Sequence, residues 1–157
     1  MSDAASIPTR GCLLGVDFGT KRIGFAMCDD QQGFAAPLET YTRTVDSVDA
    51  KHLAQLCEDY RIKGIVIGLA LHISGEESHI SHLARQYGTW AAKVTGLPVT
   101  FWDERFSSAT ADVKLLEAGL VHTRKDSRRD MLAAQSILES YITASDRNVQ
   151  PSDLRTP

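Results

Sequence analysis

Three carboxylates stand where an acid has little structural use. Asp17 ends the apolar run Cys12-Leu13-Leu14-Gly15-Val16 and opens the segment Phe18-Gly19-Thr20-Lys21-Arg22. Glu104 follows Val99-Thr100-Phe101-Trp102 and Asp103, and precedes Arg105. Asp130 shares helical spacing with Ala134, Ile137 and Tyr141, which puts an acid at the head of an apolar stripe. Singly, two of them have an ordinary use: Asp17 can satisfy turn amides, and Asp130 can close a capping box with Ser127. Gathered at one partly dry site, the three would repel one another unless cations compensated them. Oxygen-only ligands suit Mg²⁺ or Mn²⁺, which keep several waters and complete their shells with phosphate oxygens. Two such ions roughly 3.5–4 Å apart can serve an in-line phosphodiester displacement. The expected chemistry is therefore metal-dependent hydrolysis of nucleic acid, with Asp17, Glu104 and Asp130 as catalytic and metal-binding residues.

The cations fall beside the same acids. Lys21 and Arg22 follow Asp17, Arg105 follows Glu104, and Arg124, Lys125, Arg128 and Arg129 precede Asp130. The whole chain carries 17 Lys and Arg against 20 Asp and Glu, a net charge of −3, so no global positive field recruits a polyanion. A nucleic-acid partner must be held by local basic patches, because phosphate contacts dominate such affinity. One basic run alone reads as solvated surface. Three runs beside three acids point to phosphate.

Apolar periodicity supplies the elements that position these groups. Strands are expected over Cys12–Val16 and Ile23–Cys28, joined by a tight turn through Lys21 and Arg22. A third, Gly33–Tyr41, follows a hairpin-like turn at 29–32. A helix opens at Asp46 with Asp46 or Ser47 as N-cap and Val48, Leu53, Leu56 and Tyr60 on one face. The continuous run Gly64–Leu69 reads as a parallel strand covered on both faces. Further helices are expected over 76–94, 107–117 and 127–143, with the strand Val99–Trp102 between the first two. The order β-β-β-α-β-α-β-α-α predicts an α/β fold: a mixed five-stranded sheet, antiparallel then parallel, with helices on both faces. Asp17 and Glu104 then lie at the same carboxyl edge, where ligands collect. Asp103 and Glu104 point to opposite sides, and spacing alone leaves open which faces Asp17.

The 157 residues fit one domain, expected over 11–145, between a flexible N-terminus (1–10) and a flexible tail (146–157). Neither a signal peptide nor a membrane-spanning run stands out. Cys12, Cys28 and Cys57 lack metal-site spacing and read as free thiols, which suits the cytoplasm.

Four ordered motifs resemble one family. They are Gly15-Val16-Asp17-Phe18-Gly19-Thr20-Lys21-Arg22-Ile23-Gly24, the Gly68-Leu69 loop ending at Gly75, Asp103-Glu104-Arg105, and Asp130-Met131-Leu132-Ala133-Ala134 with Ile137-Leu138. Together they are similar to the YqgF or RuvX-like family of bacterial proteins, described as Holliday junction resolvases and as pre-16S ribosomal RNA nucleases. The resemblance implies an RNase H-like fold and metal-dependent nuclease chemistry. It favours Glu104 over Asp103 as the second acid, and it points to a ribosomal RNA precursor ahead of a four-way DNA junction. Ribosomal particles are then a further partner. The chain departs from the family at Ala70, where proline is usual, and at His72, where asparagine is common. His79 and His82 read as surface residues. A junction cutter would need two sites and hence a dimer, whereas a processing nuclease could act as a monomer.

Two other classes compete. Asp17-Phe18-Gly19-Thr20 resembles the first phosphate loop of actin-type and sugar kinases, but those enzymes need a second domain that this length does not supply. A non-catalytic RNA-binding ribosome-assembly factor would use the same basic rim without the acids.

Overall fold

The computed structural model describes residues 6–71, 74, 76–104 and 127–148, with the backbone alone at 127. The helix expected over 107–117 lies outside them. Strands β1 (Leu13–Asp17), β2 (Arg22–Cys28) and β3 (Ala35–Thr42) are followed by helix α1 (Asp46–Asp59) and β4 (Gly64–Leu69). Next come α2 (His79–Thr95), β5 (Val99–Asp103) and the helix Ser127–Thr143, here α3. The strands form one sheet in the order β3-β2-β1-β4-β5. The β1–β2 and β2–β3 pairs are antiparallel, while β1–β4 and β4–β5 are parallel, as the element order required.

Side-chain alternation splits the core into two layers. Leu14 and Val16 of β1 pack with Ile65 and Ile67 of β4 and with Leu53 and Leu56 of α1, on the face that also takes Ala84 and Ala91 of α2. Leu13 and Val66 turn the other way, onto Ile137, Leu138 and Tyr141 of α3. Leu13, Leu14 and Val16 are all 0% exposed, and each such burial is worth roughly 1.5–3 kcal/mol. The strand that carries Asp17 is thereby fixed from both sides.

Two helix ends differ from the expected ones. Helix α1 has Val45 at its N-cap without a side-chain cap. Asp49 instead ties the helix to the segment before it, accepting from the Thr44 amide (3.0 Å) and from the Tyr41 hydroxyl (2.7 Å). With Asp49 turned inward, the buried face becomes Asp49, Leu53, Leu56 and Cys57, and Val48 and Tyr60 are left 50% and 40% exposed. Helix α2 begins at His79 instead of Glu76, because Ser78 and Ser81 form a reciprocal capping box. It stops as expected at Gly96, whose φ of 72° is left-handed. The three cysteines are free, with Cys28 and Cys57 buried. Among the described residues no helix is long and apolar enough to cross a membrane.

Candidate active site

The parallel pairing of β1, β4 and β5 brings their carboxyl ends to one edge of the sheet. Leu69 at the end of β4 is in register with Asp103 at the end of β5. Trp102 packs on the α3 side and Asp103 is 1% exposed, so alternation along β5 returns Glu104 to the α3 side. Leu13 and Gly15 face α3 as well, and Asp17 continues that series. The expected opposition of Asp103 and Glu104 thus holds, and it is Glu104 that shares a face with Asp17.

Close approach of α3 to the sheet depends on missing side chains. Asp17 is in register with Gly24 of β2. A Cβ on Gly24 would collide with the backbone carbonyl of Asp130 and lie 2.9 Å from the Met131 nitrogen. At Gly15 a Cβ would stand 2.7 Å from Leu138 Cβ, and at Gly68 it would stand 2.8 Å from Glu104 Cγ and 2.5 Å from Ile137 Cδ1. These glycines let the first turn of α3 descend beside Asp17 and let Glu104 lie over β4. Helical spacing revealed the inward Asp130, but it could not show that Gly24 makes room for it, or Gly68 for Glu104.

The electrostatics of the acids follow from this crowding. Burial raises the Asp17 pKa well above the usual carboxylate value, and the charges of Glu104 and Asp130 raise it further, against the opposing pull of Arg129. Burial likewise pushes Glu104 up to about 7, with the Asp103 charge adding to it. Asp130 is held by Arg22, whose Nε donates to Oδ2 at 3.0 Å. Among the described residues no three His, Cys, Asp or Glu side chains close to metal-ligand spacing. The donor chemistry nonetheless fits a hard divalent cation, since buried oxygens whose charges repel one another gain most from one.

Of the expected phosphate contacts, Arg22 is half-buried on Asp130, and Lys21, Arg128 and Arg129 are exposed around the same edge. Arg105, Arg124 and Lys125 lie outside the described residues, as does His72. His79 and His82 are exposed on α2. Residue spacing held no sign of Arg43, which follows β3. Its guanidinium lies 5.1 Å from the Phe18 ring centroid and donates to the Gly19 carbonyl at 3.1 Å, bracing the loop after Asp17.

Comparison with known proteins bears on the family and the fold. Residues 11–144 match the family described as "RuvX: Holliday junction resolvase". A "Putative pre-16S rRNA nuclease" of Rhodopirellula baltica is 37% identical over 137 residues, covering 87% of this chain and 79% of its own. One of the same name from Rhodobacter capsulatus is 39% identical over 139 residues, 88% of this chain and 87% of that one. Among solved structures, Thermus thermophilus RuvC in complex with a Holliday junction substrate superposes with a TM-score of 0.55 at 15% identity, covering 83% of this chain and 91% of that one. The yeast mitochondrial Holliday junction resolvase does so with a TM-score of 0.51 at 14% identity, covering 89% and 80%. The sheet order and these neighbours are those of the RNase H-like fold.

Proposed function

The chain belongs to the RuvX Holliday junction resolvase family, and from that premise we propose that it is a divalent-metal-dependent endonuclease acting on structured nucleic acid. Its proposed substrate is the 5′ end of the pre-16S ribosomal RNA, after the activity named for its relatives. The observation that carries this reading is the convergence of Asp17, Glu104 and Asp130 on one face of one sheet edge, with cations around them.

In this reading Asp17, Glu104 and Asp130 would hold the metal, Mg²⁺ or Mn²⁺. When bound, the ion supplies positive charge that polarises the phosphodiester and favours ionisation of the attacking water. The protein's own groups do the rest. Arg22 anchors Asp130 from β2, so the helix-borne acid keeps a fixed place relative to Asp17. Lys21, Arg128 and Arg129 grip flanking phosphates and set the register of the strand. Arg105, Arg124 and Lys125 belong to the same proposed rim. The working unit is the domain 11–145, and processing of a ribosomal precursor puts it in the cytoplasm, near ribosomal particles.

Incubating purified protein with labelled pre-16S precursor and with a four-way DNA junction, with Mg²⁺ and with chelator, tests the proposal. The expected result is Mg²⁺-dependent cleavage of the RNA that Asp17→Asn abolishes. Cleavage that survives Asp17→Asn, or none on either substrate, contradicts it. The family description favours the DNA junction as second reading; two symmetric incisions by a dimer would establish that one instead.

A further inference from the structure

The carboxylates occupy one side of the sheet edge, and a cavity opens on the other. It encloses about 360 Å³ between the loop after β1, the start of α1 and the α2 residues Leu83, Gln86, Tyr87 and Trp90, a size within the range of small-ligand sites. One wall is aromatic: the Phe18 and Tyr87 ring centroids are 5.4 Å apart at 47°, and Tyr87 and Trp90 are 5.3 Å apart at 38°. Arg43 stacks on the Phe18 ring, and Gln86 stands exposed at the rim. Tyr87 is 7% exposed, whereas Phe18 and Trp90 are only half-buried at the margin of the core. Phe18 and Trp90 therefore border the open space, with Tyr87 packed behind them.

We infer that this cavity receives one unstacked nucleobase of the substrate, next to the phosphate held at Asp17. The inference rests on the nuclease reading above and adds a subsite to it. Flat aromatic and guanidinium faces suit a base, since every base offers a π-face and stacking tolerates any sequence. A phosphate is the poorer occupant, because Asp46 and Asp49 line the cavity and the lining cation, Arg43, is engaged with the Phe18 ring and the Gly19 carbonyl. The exposed Asp46 carboxylate suits the exocyclic amines of a base, which donate hydrogen bonds, whereas Asp49 Oδ1 is taken by Tyr41 and Thr44.

Position joins the two sites. Phe18 follows Asp17 directly, so their Cα atoms are about 3.8 Å apart, and alternation sends their side chains to opposite sides. The Arg43 bond to the Gly19 carbonyl (3.1 Å) holds the connecting loop in place. A strand laid across this edge can present a phosphate to the acids and turn the adjoining base into the cavity. A base inside a continuous duplex cannot reach it. The preferred substrate is therefore one with an unpaired nucleotide beside the scissile bond.

The test uses the full chain carrying Asp17→Asn, so that nothing is cut, and hairpins with a single bulged 2-aminopurine, in RNA and in DNA, beside fully paired duplexes of equal length. Binding should quench 2-aminopurine in the bulge. Trp90→Leu, which keeps apolar packing but removes the ring, should weaken binding to the bulged probe about tenfold and change the paired one less than twofold. Gln86→Ala, at an exposed position that leaves the core alone, should weaken only the bulged probe, by a few-fold. Quenching in both sugar backbones identifies the base as the ligand; quenching in RNA alone adds contact with the 2′-hydroxyl. Unquenched probe, or equal effects of Gln86→Ala on bulged and paired probes, overturns the inference. Wild-type cleavage without quenching removes the base site and keeps the nuclease. Quenching without cleavage does the reverse.

Discussion

Arg22 and Asp130, 108 residues apart in the chain, meet with Nε 3.0 Å from Oδ2. The acid that α3 delivers to the sheet edge is therefore neutralised by β2 before any metal arrives, and a metal approaching that oxygen competes with a guanidinium. Arg22→Gln should tighten Mn²⁺ binding about three- to tenfold, since it removes one nearby positive charge in a partly solvated setting. It should also weaken nucleic-acid binding and flatten its salt dependence. Calorimetric titration with Mn²⁺ and a salt series of binding curves measure the two effects, and weaker Mn²⁺ binding would show that the placing of Asp130 by Arg22 outweighs the competition of its charge.

Removing one of the crowded charges should stabilise the metal-free protein. Asp17 is raised by burial first and then by Glu104 and Asp130, so its ionised form is held at a cost. At pH 7.5 in chelator, Asp17→Asn is expected to raise the melting temperature by a few degrees while abolishing cleavage. Thermal unfolding followed by circular dichroism reads this out. A lower melting temperature would mean that the Asp17 carboxylate is well compensated by the protein alone.

Gly24 has no room for a side chain because the Asp130 backbone sits against it. Gly24→Ala should cost about 2–3 kcal/mol through displacement of α3, as overpacking does. Gly33→Ala is the control, since a Cβ there would stand 3.7 and 3.8 Å from the Asp29 carboxylate oxygens, an ordinary contact. It should stay within about 0.5 kcal/mol of wild type in urea unfolding.

These cases show what the sequence could and could not convey. The apolar runs before Asp17 and Glu104 specified buried strands, and a helix between parallel strands specified the shared carboxyl edge. The 3.6 spacing from Asp130 to Tyr141 turned that acid inward. The Arg22 contact was hidden because nothing local relates residues so distant in the chain. The need for glycine at positions 24 and 68 arises only when a helix lies across them, which no periodicity records. The α1 face was misplaced at Val48 and Tyr60 because Asp49, an acid, took a buried position to accept from Tyr41 and Thr44.

Glu77 offers a pH test away from the acids. Its hydrogen bond from Arg85 outweighs burial and holds its pKa down to about 2, and the ion pair measures 2.9 Å. A carboxyl depressed in the folded state stabilises the protein above its unfolded value near 4.5, and that contribution is lost as the pH falls toward about 2. Glu77→Gln should therefore be less stable than wild type at pH 7 by about 1–2 kcal/mol after allowance for solvent screening, with the gap closing between pH 4.5 and 2.5. Urea unfolding across that range measures it, and a gap independent of pH would assign the loss to packing.

Whether Asp17, Glu104 and Asp130 form one cation centre is tested most directly by a crystal soaked in Mn²⁺ and measured at the manganese absorption edge. The expected result is anomalous density between these three carboxylates, lost in crystals of Asp17→Asn. Manganese bound elsewhere on the protein, or bound here without Asp17, would contradict the proposed centre.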